Sequence, residues 1–279
     1  MNSSRIGRRQ LEEIQRNLTE RDLEILRSVA THRFLTTDQI CRLFFNEAAA
    51  VRSANRTLAR LRGQRVLFSL ERRIGGVRAG SGFYVWGVGA AGARILEQMN
   101  AASGSSRRAR DYEPSAVFLE HTLAVAEVFV RLQEAARRGE LAIIETEYEP
   151  ASWRAYVGSG GGTLRVKPDL SLVTATEEFE DYWFLEIDLA TEPPSRIIRT
   201  CLAYEAYRRS GEEQKRLGLF PAVVWIVPTV KRKGAIESRL VEARDIDSGL
   251  FTVITLDELE PLLRRGASTS PAAEAGGQR

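Results

Sequence analysis

The sequence predicts an α+β protein of two domains, a basic helix-rich N-terminal domain followed by an α/β domain with a mixed sheet. Its 279 residues exceed the usual size of one domain. Residues 1–110 contain 20 arginines and 9 acidic residues, a balance of +11, whereas residues 111–279 carry 20 basic and 28 acidic residues, a balance of −8. Such a difference in charge between the two parts of the chain indicates that the first domain binds a polyanion. A GC-rich genome would explain the lack of lysine there, but not the difference in sign.

The predicted domain boundaries follow shifts in composition. Residues 1–17 are polar and are expected to form a flexible arm or an irregular first helix, and residues 101–116 are rich in Ala, Ser and Arg, as a linker would be. Residues 266–279 have the composition of a disordered tail. The two domains would therefore span residues 18–100 and 117–265.

The first domain has the element order of a winged helix-turn-helix. One helix starts at Thr19, with Asp22 as its capping partner, and a second starts at Thr36 with the Thr-x-x-Gln spacing of a capping box. The remaining elements are predicted as helices at about residues 48–62 and 90–99 and strands at 66–73 and 82–86. Helix, helix-turn-helix and β-ribbon is the order of a winged helix.

One face of the third helix carries guanidinium groups. At about 100° per residue, Arg52, Arg56 and Arg60 fall on one side, with Asn55 at its edge. The opposite, packing side is predicted to comprise Val51, Ala54, Leu58 and Leu61. Arg can fork onto guanine and Asn onto adenine in the major groove, and the predicted wing adds the phosphate-contacting candidates Arg72, Arg73 and Arg78. The pattern favours binding to double-stranded DNA over a solvated face or a protein-interaction module.

The second domain is predicted to have the order α-β-β-β-α-β-α-β, which describes a mixed sheet with flanking helices. Strands 163–176 and 181–191 are predicted to form a hairpin, and the apolar run 222–230 a buried strand. The other elements are predicted as helices at about 115–138, 194–215, 235–243 and 257–263 and as strands at 141–148 and 250–255.

Carboxylates occupy apolar strands of this domain. Asp169 follows a Lys-Pro pair, and Glu186 and Asp188, two residues apart, share one face of the next strand. The centre of a sheet is an expensive place for an unpaired carboxylate. If Asp169 and Glu186 are neighbours across the hairpin, they form an anionic pocket suited to Mg²⁺ or Mn²⁺. The alternative is a structural pair, neutralised by a nearby base among Lys167, Arg196 and Arg199.

Several classes of protein are disfavoured. The two cysteines and two histidines argue against a disulfide framework and against a zinc site. No apolar run approaches the ~20 residues of a membrane helix, and the N-terminus lacks the apolar core of a secretory signal. We therefore expect a cytoplasmic protein without a membrane partner.

The run KPDLSLV, followed by YWFLEIDLATE and by a helix ending in CLAYEAYRR, resembles the replication-relaxation family of plasmid and mobile-element proteins. The segment His121-Thr122-Leu123 matches the family's His-x-Leu pattern in the preceding helix. The resemblance covers roughly residues 18–230. It implies a bacterial protein with an N-terminal winged helix, a C-terminal domain of the restriction-endonuclease-like, PD-(D/E)xK nuclease fold, and a role in plasmid replication, DNA relaxation or mobilisation.

By that resemblance, Pro168-Asp169 would be the PD pair, Glu186 the second acid, and Glu127 a further metal ligand. The motif lysine would fall at position 188, where this chain has aspartate. Asp188 cannot stabilise charge at a scissile phosphate as lysine does, and Lys167 and Arg199 are candidates to supply that charge from another element. The implied cofactor is Mg²⁺ or Mn²⁺.

Three functions remain open at this point. The first is a DNA-binding protein of a plasmid or mobile element whose nuclease-like domain is a candidate for metal-dependent nicking of DNA. The second is a non-catalytic transcription regulator or replication accessory factor, whose C-terminal domain forms a homodimer or binds a replication or conjugation partner. The third is a scaffold that recruits a coupling ATPase or a replisome component.

Overall fold

The computed structural model describes residues 6–45, 50–74, 83–100, 114–158, 160–177 and 179–267. In these residues the chain is α+β, with ten α-helices and a mixed five-stranded sheet, as predicted. It divides into two compact units, residues 1–130 and 131–279. No helix within the described ranges is long and apolar enough to cross a membrane.

The first unit combines helices with a small antiparallel sheet. Its strands have the order β1-β3-β2, so the short β1 lies beside the last strand of the following hairpin. The elements are α1 (Arg8–Arg16), α2 (Glu20–His32), β1 (Leu35–Thr36), α3 (Thr37–Phe44), α4 (Ala50–Gly63), β2 (Leu67–Ile74), β3 (Phe83–Val88), α5 (Ala90–Asn100) and the first part of α6 (Ala116–Arg137).

Both predicted capping boxes are present in this unit. The Thr19 hydroxyl accepts a hydrogen bond from the backbone N–H of Asp22, whose carboxylate accepts one from the Thr19 N–H. Thr36 and Gln39 repeat this arrangement at the start of α3. Because each box satisfies N–H groups that have no partner inside the helix, it fixes where the helix begins.

Two boundaries differ from the sequence-based expectation. Where a flexible arm or an irregular helix was expected, residues 8–16 form the regular helix α1, which buries Leu11 and Ile14 in the core of the first unit. The predicted linker lies largely outside the described residues, since 101–113 are not described. The units divide within α6, whose Ala126 and Val130 belong to the core of the first unit. Of the predicted tail, residues 268–279 also lie outside the described ranges.

The second unit is built on the sheet with strand order β10-β9-β8-β7-β4. Strands β8, β9 and β10 run parallel, and β7 is antiparallel to both β4 and β8. A two-stranded hairpin, β5-β6, is separate from this sheet. The strands are β4 (Ala142–Tyr148), β5 (Arg154–Val157), β6 (Thr163–Val166), β7 (Leu170–Ala175), β8 (Glu180–Ile187), β9 (Ala222–Val227) and β10 (Phe251–Thr255).

Helices cover the face of the sheet that carries Phe184 and Trp225. Helix α7 places Cys201 and Tyr204 in this core, and α9 adds Ile236. The helices of this unit, besides the last part of α6, are α7 (Pro194–Ser210), α8 (Glu212–Leu217), α9 (Val230–Glu242) and α10 (Leu259–Arg265).

Two predicted elements are each divided in the structure. The strand expected over 163–176 is interrupted at Lys167–Asp169, where β6 ends and β7 begins. The helix expected over 194–215 ends at Gly211, which has a left-handed φ of 74°, and α8 follows it. Glycine adopts this conformation without the steric penalty that a Cβ would bring.

Candidate functional sites

The first candidate site is the exposed face of α4. Arg52, Asn55 and Arg56 are exposed, whereas Ala54 and Leu58 of the same helix are completely buried. No acidic residue in the described part of the chain pairs with Arg52 or Arg56. Their guanidinium charges are therefore available to an external anion.

Arg60, predicted on the same face, has an internal partner. Its Nη2 lies 2.6 Å from Oδ1 of Asp22, a carboxylate on α2 that is only 1% exposed. This ion pair ties α4 to α2, because a buried carboxylate needs a compensating charge. The position of Arg60 on the helix is as predicted, but its guanidinium is engaged within the unit.

Val51 was predicted on the packing side of α4, and this is wrong. Its side chain is 59% exposed, whereas Ala54, Leu58 and Leu61 of the same helix are buried. On a helical wheel, Val51 lies at the edge of the packing side, where the burial of a side chain depends on which other elements face that side of the helix.

The arginines predicted on the wing are only partly described. Arg72 and Arg73 lie in β2, and the structure does not describe their side chains. Arg78 lies outside the described residues. These three positions stay predictions.

The second candidate site is a pair of buried carboxylates in the second unit. Leu170 of β7 lies opposite Leu185 of β8, so the next cross-strand neighbours are Asp169 and Glu186. Both are nearly buried, at 7% and 9% exposure. The backbone N–H of Ile187 donates to Oδ2 of Asp169 over 2.7 Å. The structure therefore brings these two predicted residues together at one end of the hairpin.

Glu186 lies against α7. The hydroxyl of Tyr204, which is completely buried, donates to Oε1 of Glu186 over 2.6 Å. Burial, and then the charge of Asp169, raise the pKa of Glu186 well above its ordinary value, and the Tyr204 hydrogen bond opposes this shift. Burial and the charge of Glu186 also raise the pKa of Tyr204. A site that disfavours its own negative charge in this way would gain from a bound cation.

Sequence reasoning missed a third acid, Glu149. It follows Tyr148, which lies opposite Leu170, so the next neighbour of Asp169 on the β4 side is Glu149. Its charge also raises the pKa of Glu186. Oε1 of Glu149 accepts a hydrogen bond of 3.2 Å from the indole N–H of Trp153. Only the register across three strands shows this relationship, because Glu149 is 20 residues from Asp169 in the chain.

The charged residues that sequence reasoning added to this site have other contacts. Asp188 is held by Arg232 of α9, whose Nε and Nη2 donate to its two carboxylate oxygens at 2.7 and 3.1 Å. The ammonium of Lys167 lies 4.5 Å from the centroid of the Trp153 ring. Glu127 lies in the first unit, where it accepts a 2.7 Å hydrogen bond from Arg42. In this structure its carboxylate neutralises an arginine of α3.

Few side chains at this site are candidates to act as ligands to a divalent ion. Mg²⁺ is commonly held by one or two carboxylates and several waters, a requirement that Asp169 and Glu186 meet. In the described ranges, no group of three or more His, Cys, Asp or Glu side chains is placed to hold a metal ion. Asp169 and Glu186 are therefore the two candidate ligands that the described residues offer at this site.

The comparison with known families covers both candidate sites. The family model described as replication-relaxation matches residues 26–223, which include α4, Asp169 and Glu186. No curated protein and no solved structure matches the chain. Since the match spans well over half of the 279 residues, the chain belongs to the replication-relaxation family.

Proposed function

We propose that this protein binds double-stranded DNA during replication of a plasmid or mobile element, with α4 as its recognition helix. The observation that carries the proposal is the exposed pair Arg52 and Arg56, which no described acid neutralises, beside the exposed Asn55. Membership of the replication-relaxation family indicates a role in replication, and DNA is the polyanion that such a role requires.

The arrangement of the first unit supports a winged helix-turn-helix. Helices α2, α3 and α4 precede the β2-β3 hairpin, and β1 joins the same sheet. In helix-turn-helix proteins the second helix of the motif enters the major groove, while the preceding helix crosses the backbone. By this assignment α3 is the supporting helix, α4 is the recognition helix, and β2-β3 is the wing that reaches a phosphate backbone.

For the second unit we propose a PD-(D/E)xK nuclease-like fold that binds a divalent cation but does not cut DNA efficiently. The order α6, β4, β7, β8, α7, β9 and the cross-strand pair Asp169 and Glu186 support the fold. A bound divalent ion would supply positive charge to phosphate oxygens. The chain itself contributes the two carboxylates that would hold the ion and the Tyr204 hydroxyl that orients Glu186. Asp188 and Arg232 neutralise each other where the nuclease motif has a free lysine.

Metal-dependent nicking is the second candidate function, favoured by the convergence of Asp169 and Glu186 on one edge of the sheet. Incubation of the full chain with supercoiled DNA in Mg²⁺, Mn²⁺ or EDTA distinguishes cation binding without cleavage from metal-dependent nicking. The proposed binding role predicts calorimetric binding of Mn²⁺ that Asp169→Ala abolishes, with no nicked product. Nicking that depends on the metal and is lost in both Asp169→Ala and Glu186→Ala would establish the second candidate instead.

The DNA-binding proposal is tested by fluorescence anisotropy with a labelled duplex and the full chain at several salt concentrations. Affinity should fall steeply with salt, because neutralised phosphates release counterions. Arg56→Ala should weaken binding by about 1–3 kcal/mol, the usual value of a forked contact to a base. Arg239→Ala is the matched control, since Arg239 is an exposed arginine of the second unit. A flat salt response, or equal losses in the two variants, would contradict the proposal.

A further inference from the structure

Val51 lies on α4 but is not among the residues of that helix that pack into the core of the first unit. A branched apolar side chain that is 59% exposed contributes little to the core. Single exposed apolar residues are common on protein surfaces, but Val51 adjoins Arg52, Asn55 and Arg56, and these side chains are also exposed. A surface patch that combines an apolar side chain with positive charges can bind a ligand that is both anionic and partly apolar.

The four residues form a compact patch on the first two turns of α4. Val51 and Asn55 are four residues apart, as are Arg52 and Arg56, so two neighbouring rows run along the helix. Their side chains tilt toward the N-terminus of α4. Further along, Arg60 is held by Asp22. The patch is therefore at the N-terminal end, which is the part of a recognition helix that meets base edges.

The major groove offers one apolar group to such a patch. Guanine, adenine and cytosine present donors and acceptors there, whereas thymine presents its C5-methyl group. We infer that Val51 is a specificity-determining residue that contacts the 5-methyl group of a pyrimidine, next to purines contacted by Arg52, Asn55 or Arg56. This inference rests on the proposed DNA binding, and it adds which base chemistry the helix selects.

The test starts from a duplex that the full chain selects from a random library. Each thymine of that duplex is replaced in turn by uracil, which removes only the methyl group, and each cytosine by 5-methylcytosine, which adds it. One thymine-to-uracil change should weaken wild-type binding by about fourfold, the equivalent of ~0.8 kcal/mol for one buried methyl-sized group. Val51→Ala, which lacks the two methyl groups that reach furthest from the helix, should distinguish the thymine and uracil duplexes much less than wild type does.

Two controls make the result specific. Val241→Ala, an 80% exposed valine on α9, should retain the fourfold preference, and the thermal unfolding of Val51→Ala should match wild type because the side chain is exposed. A selected duplex in which every thymine tolerates uracil would overturn the inference, as would a Val51→Ala variant with the wild-type preference. Salt-dependent binding would still hold in either case. Failure to bind any duplex would instead contradict the proposed function itself.

Discussion

Replacing Arg60 by Ala should destabilise the first unit while leaving the proposed DNA recognition largely intact. Arg60 donates from Nη2 to the buried carboxylate of Asp22 over 2.6 Å. Removing the guanidinium leaves that carboxylate without its counter-charge in a site that is 1% exposed. The corresponding change at Arg56, which lies on the exposed face of the same helix, breaks no described ion pair. The two arginines therefore separate a structural role from the proposed role in DNA recognition.

The size of the effect follows from the surroundings of the pair. Breaking a buried ion pair costs about 3–5 kcal/mol, and a hydrogen bond to a charged group contributes about 1.5–3 kcal/mol. The lower range applies here, because the Arg60 side chain is 41% exposed and Asp22 keeps its 2.8 Å hydrogen bond from the Thr19 N–H. We expect a loss of about 2 kcal/mol for Arg60→Ala and less than about 0.5 kcal/mol for Arg56→Ala.

Hydrogen exchange measured on peptides from α2 and α4 reports the free energy of opening in this unit alone. Fluorescence anisotropy, at a temperature where both variants are folded, reports DNA affinity. Asp22→Asn keeps an oxygen for the helix cap, so combining it with Arg60→Ala in a double-mutant cycle isolates the ion pair. An Arg60→Ala variant with wild-type stability and reduced base preference would refute the structural assignment.

Three further predictions concern buried charge, each measured by urea unfolding and hydrogen exchange. Because the pKa of Glu186 is raised above 4.5, folding takes up a proton, and the second unit should lose stability as pH rises above that value; Glu186→Gln should remove the loss. Asp188→Lys should cost about 3–5 kcal/mol without gaining cleavage, because it sets a second cation beside the 12% exposed Arg232. Burial lowers the pKa of His32 to about 4, so the first unit should lose roughly 3 kcal/mol as pH falls from 6.5 through 4, and His32→Gln should not.

Each of these three predictions has a control measurement that can contradict it. Glu180→Gln, at an exposed position of the same strand as Glu186, should keep the wild-type pH profile. The double variant that combines Asp188→Lys with Arg232→Glu exchanges the two charges and should recover part of the stability. Equal losses of stability in the Asp188→Lys single variant and in the double variant would show that the ion pair is unimportant. A stability profile of the first unit that is flat between pH 6.5 and 4 would mean that His32 is charged in the folded state.

Local sequence signals predicted most elements because the forces that set them act within a few residues. The capping boxes at Thr19 and Thr36 begin helices as expected, since a side chain and the N–H group it satisfies are only three positions apart. The apolar run after Pro221 forms β9, and Gly63 ends α4. For the segment that forms α1, the sequence left a flexible arm and an irregular helix as alternatives, because the burial of α1 depends on a surface that other elements supply.

Charge roles depended on contacts that no local pattern contains. Periodicity alone grouped Arg60 with Arg52 and Arg56, and only the packing of α2 against α4 gave Arg60 a buried partner 38 residues away. Glu127 looked like a metal ligand in the sequence, and the structure sets it against Arg42, 85 residues distant.

The sequence by itself determined most of the element order, the capped starts of α2 and α3, the basic first domain and the family resemblance that the family match supports. The tertiary structure decided which charges meet. Strand register places Glu186 beside Asp169. The packing of helices forms the ion pairs Asp188–Arg232 and Asp22–Arg60. The reason is physical: the cost of burying a charge depends on what lies within a few ångströms in space, and residues far apart in the chain supply most of those neighbours.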